Sequence, residues 1–323
     1  MSKKNTQKEI VATPSKVYNF CSKKKLILGV VIAVLVVFIA GAVIRGIHLA
    51  IEFKGGTLIT YTYQGDIDTN EVGNTVKDIV GSSVIVRTGE SLDSGGKQVT
   101  ISFTSDQGLT ADRQTELTNA LRDKFKDNSL EIYDSNDVSP SSGREFLLKC
   151  FIAVLFAAFV VIIYIAIRFR NIGGWSAGVC SIFALCLDIF VAFTATIVCG
   201  FNIDSNIVAV ILTILGYSIN NTIVIYDRIR ENRQLMPKAS LNELINVSCT
   251  QSLTRSVRTS ITTIGTMLVI TIVVLVTGYD SLLSFSVPLM MGLISGTFSS
   301  LFVAPVTWSW WKNKMDAKAK SKK

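Results

Sequence analysis

The sequence predicts a helical membrane protein of six spans carrying one small α+β domain outside the bilayer. Three observations predict it. Of 323 residues, 49% are apolar and 17% charged, where soluble domains carry about a quarter charged residues. Mean hydropathy is +0.44, and the apolar residues fall in six blocks of about the length that crosses a hydrocarbon core as a helix. Between the first and second blocks lies a polar stretch, 51–145, with sixteen acidic and nine basic residues, opposite in sign to the chain's net charge of +8.

The blocks are 26–44, 146–167, 175–199, 207–226, 261–276 and 285–308. The fifth is least apolar at its start and is expected to begin nearer Thr254. A cleavable signal peptide competes for the first block, because Lys23, Lys24 and Lys25 precede it and Ala40-Gly41-Ala42 has the small-x-small form of a cleavage site. The apolar run continues past Ala42 and the basic region before it is long, which favours a retained span. Lys and Arg set orientation. They crowd the N-terminal stretch, the loop holding Arg168 and Arg170, the loop from Arg228 to Arg258, and the C-terminal lysines. The short loops 200–206 and 277–284 have none. Six spans with both termini cytoplasmic satisfy this alternation. The basic balance therefore reads as a membrane signature, and lysine runs without interleaved aromatics do not point to nucleic acid.

The division that follows is a basic tail at 1–25, a first span at 26–47, an outer domain at 48–145, five further spans within 146–310 and a basic tail at 311–323. In the outer domain Leu58, Thr60 and Thr62 alternate with Ile59, Tyr61 and Tyr63, a strand pattern. Asp68 with Glu71 has the form of a capping box, and Val72, Val76, Ile79 and Val80 follow at helical spacing. Val84 and Val86 mark a second strand, Asp93-Ser94-Gly95-Gly96 a turn, and Val99, Ile101 and Phe103 a third strand. Thr110 is placed to cap a helix carrying Leu117, Leu121 and Phe125, and Leu130 and Ile132 begin a fourth strand. The order βαββαβ is that of the ferredoxin-like split motif.

Polar residues inside the blocks carry the functional signal. Asp188 lies mid-block between Leu187 and Ile189, where an ionisable side chain marks a functional site by default; a hydrogen-bonded structural aspartate is the competing reading. Ser218, Asn221 and Thr222 share one side of the fourth span and need partners within the bundle. Asp227, Arg228 and Glu231 follow at its cytoplasmic end. Arg255 and Arg258 sit in a hydroxyl-rich run leading into the fifth span, where an arginine can snorkel to the interface. Gly292 and Gly296 form a helix-packing motif, and Pro288 is expected to bend the sixth helix. Gly55-Gly56-Thr57 lies just outside the first span, where two glycines permit a hinge or a close backbone approach. His48, the only histidine, is expected to be solvated. With one histidine, multi-histidine metal sites and a Ser-His-Asp triad are nearly excluded, and the six cysteines lack metal-ligand spacing. HExxH, GxGD and GxSG are absent, so no catalytic residue, cofactor or metal is expected.

Taken together the motifs resemble the SecF family, accessory membrane subunits of the bacterial Sec protein-export machinery related to the RND transporters. The resemblance rests on Glu52-Phe53-Lys54-Gly55-Gly56-Thr57, on Val138-Ser139-Pro140-Ser141-Ser142-Gly143-Arg144-Glu145, on Tyr164 through Phe169 and on Ala184 through Asp188. Gly216-Tyr217-Ser218-Ile219-Asn220-Asn221-Thr222 through Asn232 is the most specific stretch, and Gln251 through Ser256 is also similar. The resemblance implies an RND-like half that works with SecD, the SecYEG channel, the SecA ATPase and YajC. Such a half assists an unfolded preprotein across the cytoplasmic membrane at the expense of a proton or sodium gradient. It implies a hinge-and-motif role for Gly55, Gly56, Thr57, Pro140 and Gly143. It also implies an intramembrane polar site of Asp188, Ser218, Asn221, Thr222 and Arg255. The sequence departs from the family at two of these motifs: Glu52 replaces an aspartate, and Asn221 stands where the family has the aspartate that pairs with the fifth-span arginine, here Arg255. Asparagine does not exchange a proton in this pH range. An RND-like exporter of lipids or small molecules and a non-coupled structural subunit are the alternative readings.

Overall fold

The computed structural model describes residues 16–81, 84–90, 96–103, 110–277 and 280–320. Helix α1 (Lys24–Arg45) is followed by the single turn α2 (Ile51–Lys54). The outer domain comprises β1 (Gly56–Tyr63), α3 (Thr69–Val80), β2 (Val84–Glu90), β3 (Lys97–Phe103), α4 (Ala111–Lys124) and β4 (Glu131–Val138). The chain then runs through α5 (Pro140–Arg168), α6 (Gly174–Cys199), α7 (Asn206–Leu235), α8 (Leu241–Thr277), α9 (Asp280–Phe298), a π-helical turn (Ser299–Val303) and α10 (Ala304–Lys320). Among the described residues six helices are long and apolar enough to span a bilayer, the sixth formed by α9, the π turn and α10 together.

The four strands form one antiparallel sheet ordered β2-β3-β1-β4, which with the βαββαβ chain order is the ferredoxin-like arrangement. Alternation fixes which face is inside: Ile59, Tyr61, Val99, Ile101 and Phe103 point at α3 and α4. Against them pack Val72 and Val76 from α3 and Leu117 and Leu121 from α4, all buried. The phenol of Tyr61 enters this core because it finds Thr118 Oγ1 at 3.1 Å. Two expected caps take another form. Asp68 caps α3 by accepting from Asn70 N at 2.8 Å, while Glu71 reaches Lys124 at 3.4 Å instead of closing a box. Thr110 makes no side-chain cap. The expected turn at Asp93-Ser94-Gly95-Gly96 lies largely outside the described residues.

The membrane helices outrun their apolar blocks, because a helix needs continuous backbone hydrogen bonding and not continuous apolarity. Ser139 caps α5 through Ser142 N at 3.3 Å with Pro140 in the first turn, so this helix begins six residues before the apolar run. Ser240 accepts from Glu243 N at 3.3 Å and α8 starts at Leu241, well before the expected Thr254 or Ile261. Helix α10 reaches Lys320, so most of the basic 311–323 segment is helical. His48 is exposed, with Nε2 2.8 Å from the Arg45 carbonyl. In their most apolar stretches α1 and α5 are 11% buried, against 44% for α6, 50% for α7 and 61% for the sixth span. The bundle therefore centres on α6, α7 and the sixth span.

Candidate intramembrane site

Asp188 is fully buried at the middle of this centre, and among the described residues it is the one buried side chain that carries a formal charge. Three helical segments converge on its carboxylate. Ser218 Oγ of α7 donates to Oδ2 at 2.7 Å, Ser299 Oγ of the π turn donates to the same oxygen at 2.7 Å, and Ser295 Oγ of α9 donates to Oδ1 at 2.6 Å. These are ordinary distances for hydroxyls donating to a carboxyl group. Buried polar groups in a membrane must be satisfied within the protein, and three hydroxyls meet that need for one carboxylate. Close approach depends on Gly296, where a Cβ would lie 3.3 Å from Ser218 Cβ and 3.6 Å from Asp188 Oδ2. One turn away, a Cβ on Gly292 would overlap Ile214 Cδ1. The glycine pair is thus what lets α9 reach α7 and α6.

The other expected members of the site are divided. Thr222 is buried and bonds back to the Ser218 carbonyl at 3.0 Å, a mode that uses the hydroxyl within its own helix. Asn221 is 4% exposed, and its Nδ2 has no hydrogen-bond partner among the described residues. Arg255 is not part of the site. It is exposed on α8, where the buried positions around it are Ser252, Ser256 and Ser260. Among the described residues no side-chain hydrogen bond or ion pair joins Arg255 to the fourth span; it is exposed beside the buried serine stripe, three residues from Ser252 and one from Ser256. Ser295 and Ser299 escaped the sequence reading; their i, i+4 spacing beside Gly292 and Gly296 was the available signal. A second polar layer ties α7, α8 and α9: Tyr217 Oη donates to Ser260 Oγ at 2.9 Å, as does Thr297 Oγ1 at 2.8 Å.

The motif at the head of the outer domain is a clasp. Gly55 takes φ +84° and Gly56 φ +145°, backbone positions that favour glycine. A Cβ on Gly55 would lie 2.6 Å from Pro140 Cα, and one on Gly56 would overlap the Phe103 carbonyl oxygen. A Cβ on Gly143 would lie 3.0 Å from both Phe53 C and Gly55 N. Phe53 stacks on Phe146 at 5.7 Å, and the buried Thr57 hydroxyl donates to the Asp137 carboxylate. These glycines are enclosed, with no open space in which to act as a free hinge. Beside them, burial and then the nearby Asp204 charge push the Glu52 carboxyl above its ordinary value. At the other end of the bundle Asp227 pairs with Arg168 at 3.1 Å and Arg230 at 2.7 Å, and Arg228 bridges Glu231 and Gln251. Among the described residues no three His, Cys, Asp or Glu side chains gather as metal ligands.

The model of the family described as "Protein export membrane protein SecD/SecF, C-terminal" matches residues 117–314, and that of the "SecD/SecF GG Motif" matches 42–67. The protein translocase subunit SecF of Petrotoga mobilis is 30% identical, over 88% of this chain and 93% of the relative. Protein translocase subunit SecDF of Bacillus subtilis is 30% identical over 94% of this chain but 39% of its own. The crystal structure of SecDF from Thermus thermophilus, titled a translocon-associated membrane protein, superimposes with a TM-score of 0.75 at 26% identity. That match covers 93% of this chain and 39% of that one. The chain thus spans nearly all of the SecF relative and about two fifths of the SecDF chains.

Proposed function

The chain belongs to the SecD/SecF family of protein-export membrane proteins, and we propose that it works as an accessory subunit of a protein translocase beside a SecD-type chain. The carrying observation is its extent: it accounts for 93% of a SecF relative and 39% of a SecDF chain, and the remainder of SecDF has room for a second half. The lightly buried α1 and α5 offer apolar faces that such a partner or lipid would cover. The Lys and Arg distribution supports a cytoplasmic position for both termini. SecYEG, SecA, YajC and an unfolded preprotein follow from the family resemblance. The test is co-purification: a tagged copy should retain SecD through membrane solubilisation. Recovery without SecD, alongside unchanged export in a strain lacking this chain, would refute the assignment.

A step driven by an ion gradient needs a side chain that changes charge inside the membrane, worth about 2.3 kcal/mol per charge per 100 mV. Asn221 does not supply one, which leaves Asp188 in this chain. Its three serine donors come from α7, α9 and the π turn, so a change in its charge would act on three segments at once. A SecD partner carries the larger part of coupling in this reading, and Asp188→Asn lowers gradient-dependent export only in part while leaving assembly intact. Complete loss of gradient dependence in that variant would place the coupling in this chain. No loss at all would make Asp188 a purely structural tie.

A further inference from the structure

A second candidate site lies away from Asp188, at the bundle edge that carries Arg168 and Arg170. A cavity of 690 Å³ opens there between the end of α5, the start of α6 and α10. Its inner wall is cationic. Lys312 Nζ is fixed by the Ile172 carbonyl at 2.9 Å and stands 5.4 Å from the centre of the Trp308 ring. Arg170 is exposed, and its guanidinium has no ion pair among the described residues. Arg233 is near enough to Lys312 to act on it by charge. Asp316 is the lone carboxylate of the lining. The outer wall is apolar and open: Ile167 is 73% exposed, Trp175 69% and Met315 55%.

This combination has a chemical reading. A soluble anion would use only the cations and would gain nothing from exposed tryptophan, isoleucine and methionine. A phosphodiester carrying acyl chains uses both walls, its charge against Arg170 and Lys312 and its chains along Ile167 and Trp175. Tryptophan sits at the headgroup level of a bilayer, and basic pockets between spans at a membrane edge hold anionic lipid headgroups. The cavity lies where α5 ends and α6 begins, which is the level of that layer. We infer that this cavity binds the headgroup of an anionic phospholipid, with Arg170 and Lys312 as the phosphate ligands.

The test uses the purified full chain in detergent, with phosphatidylglycerol or phosphatidylcholine of identical acyl chains, read by native mass spectrometry. Phosphatidylglycerol should be retained several-fold more than phosphatidylcholine. Arg170→Gln removes a charge that makes no ion pair in the fold, and should lower that retention about fivefold, the effect of roughly one basic side chain near an anionic surface. Asp316→Asn should raise it, so a variant that gains binding guards against loss through misfolding. Lys23→Gln, a charge-matched change at α1, should leave it unchanged. Equal retention of both lipids, or an equal drop in Lys23→Gln, would overturn the inference in favour of general surface charge. Displacement of the lipid by millimolar inorganic phosphate would overturn it in favour of a soluble anion.

Discussion

In the outer domain the core is apolar and its buried polar groups are partnered hydroxyls: Ile59, Ile101, Phe103, Leu117 and Leu121 fill the core, Tyr61 is admitted with its partner Thr118, and Thr57 with Asp137. The membrane bundle reverses the emphasis. Its centre buries Asp188, Ser218, Ser295 and Ser299, with Ser260 and Thr297 close by. The two regions are solving different problems. Outside the bilayer, water drives apolar surface inward. Between helices in lipid that drive is gone, because lipid tails are as apolar as leucine; close packing at small residues and hydrogen bonds must hold the helices together. Gly292 and Gly296 provide the first and the Asp188 cluster the second.

The comparison can be broken at several points. The largest effect is expected outside: Phe103→Ala removes a buried ring and should cost the outer domain about 3–5 kcal/mol. Limited proteolysis should then cleave within 56–138 while the spans stay protected. Concerted loss of both regions would show that they do not melt separately. Inside, Asp188→Leu strands three serine hydroxyls. At about 0.6–1.7 kcal/mol for each membrane hydrogen bond, the loss is ~2–5 kcal/mol, read as a lower Tm in detergent, with Asp188→Asn much milder. If leucine is as well tolerated as asparagine, the cluster does not hold the bundle.

Between the two regions, Gly143→Ala presses a methyl onto the Phe53 and Gly55 backbone and should cost about 1–3 kcal/mol. Its signature is new protease sensitivity at 46–58 with the sheet intact; unchanged sensitivity would mean that the clasp yields. Glu52 tests the same joint by pH. Its folded-state value is raised, so the folded form takes up the proton more readily than the unfolded chain does. Its stabilising contribution is therefore complete below the ordinary glutamate value of about 4.3 and is lost as pH rises through the higher folded-state value. Glu52→Gln should flatten the melting profile in that window, and an identical profile would remove Glu52 as the cause. The smallest effect belongs to Arg168→Ala at the exposed pair with Asp227, below about 1 kcal/mol. A larger loss would show that the ion pairs of Asp227, Arg168 and Arg230 act as one network.

The elements of the outer domain were legible because each strand or helix writes its buried face into its own spacing, as Val99-Ile101-Phe103 and Leu117-Leu121 do. Helix ends were not, since Ser139 and Ser240 cap helices well outside the apolar runs. Half of the polar site was legible. Asp188 and Ser218 stood out as polar residues in lipid, whereas Ser295 and Ser299 looked like ordinary small residues beside a glycine motif.

What the sequence determined by itself is what depends on composition along one segment: six apolar spans, the alternation of Lys and Arg between their loops, the βαββαβ order, and an amide where Asn221 stands. What only the tertiary structure decided is which segments meet. A helix has several faces, and spacing says which residues share one without saying what lies opposite. Arg255 shares a helix with the serine stripe but is exposed beside it. Gly55 and Gly143, 88 positions apart in the chain, come within one methyl's reach. Three serines on two distant stretches of chain find the same carboxylate because glycine at 296 lets the sixth span come close, a condition set by packing and not by any local pattern.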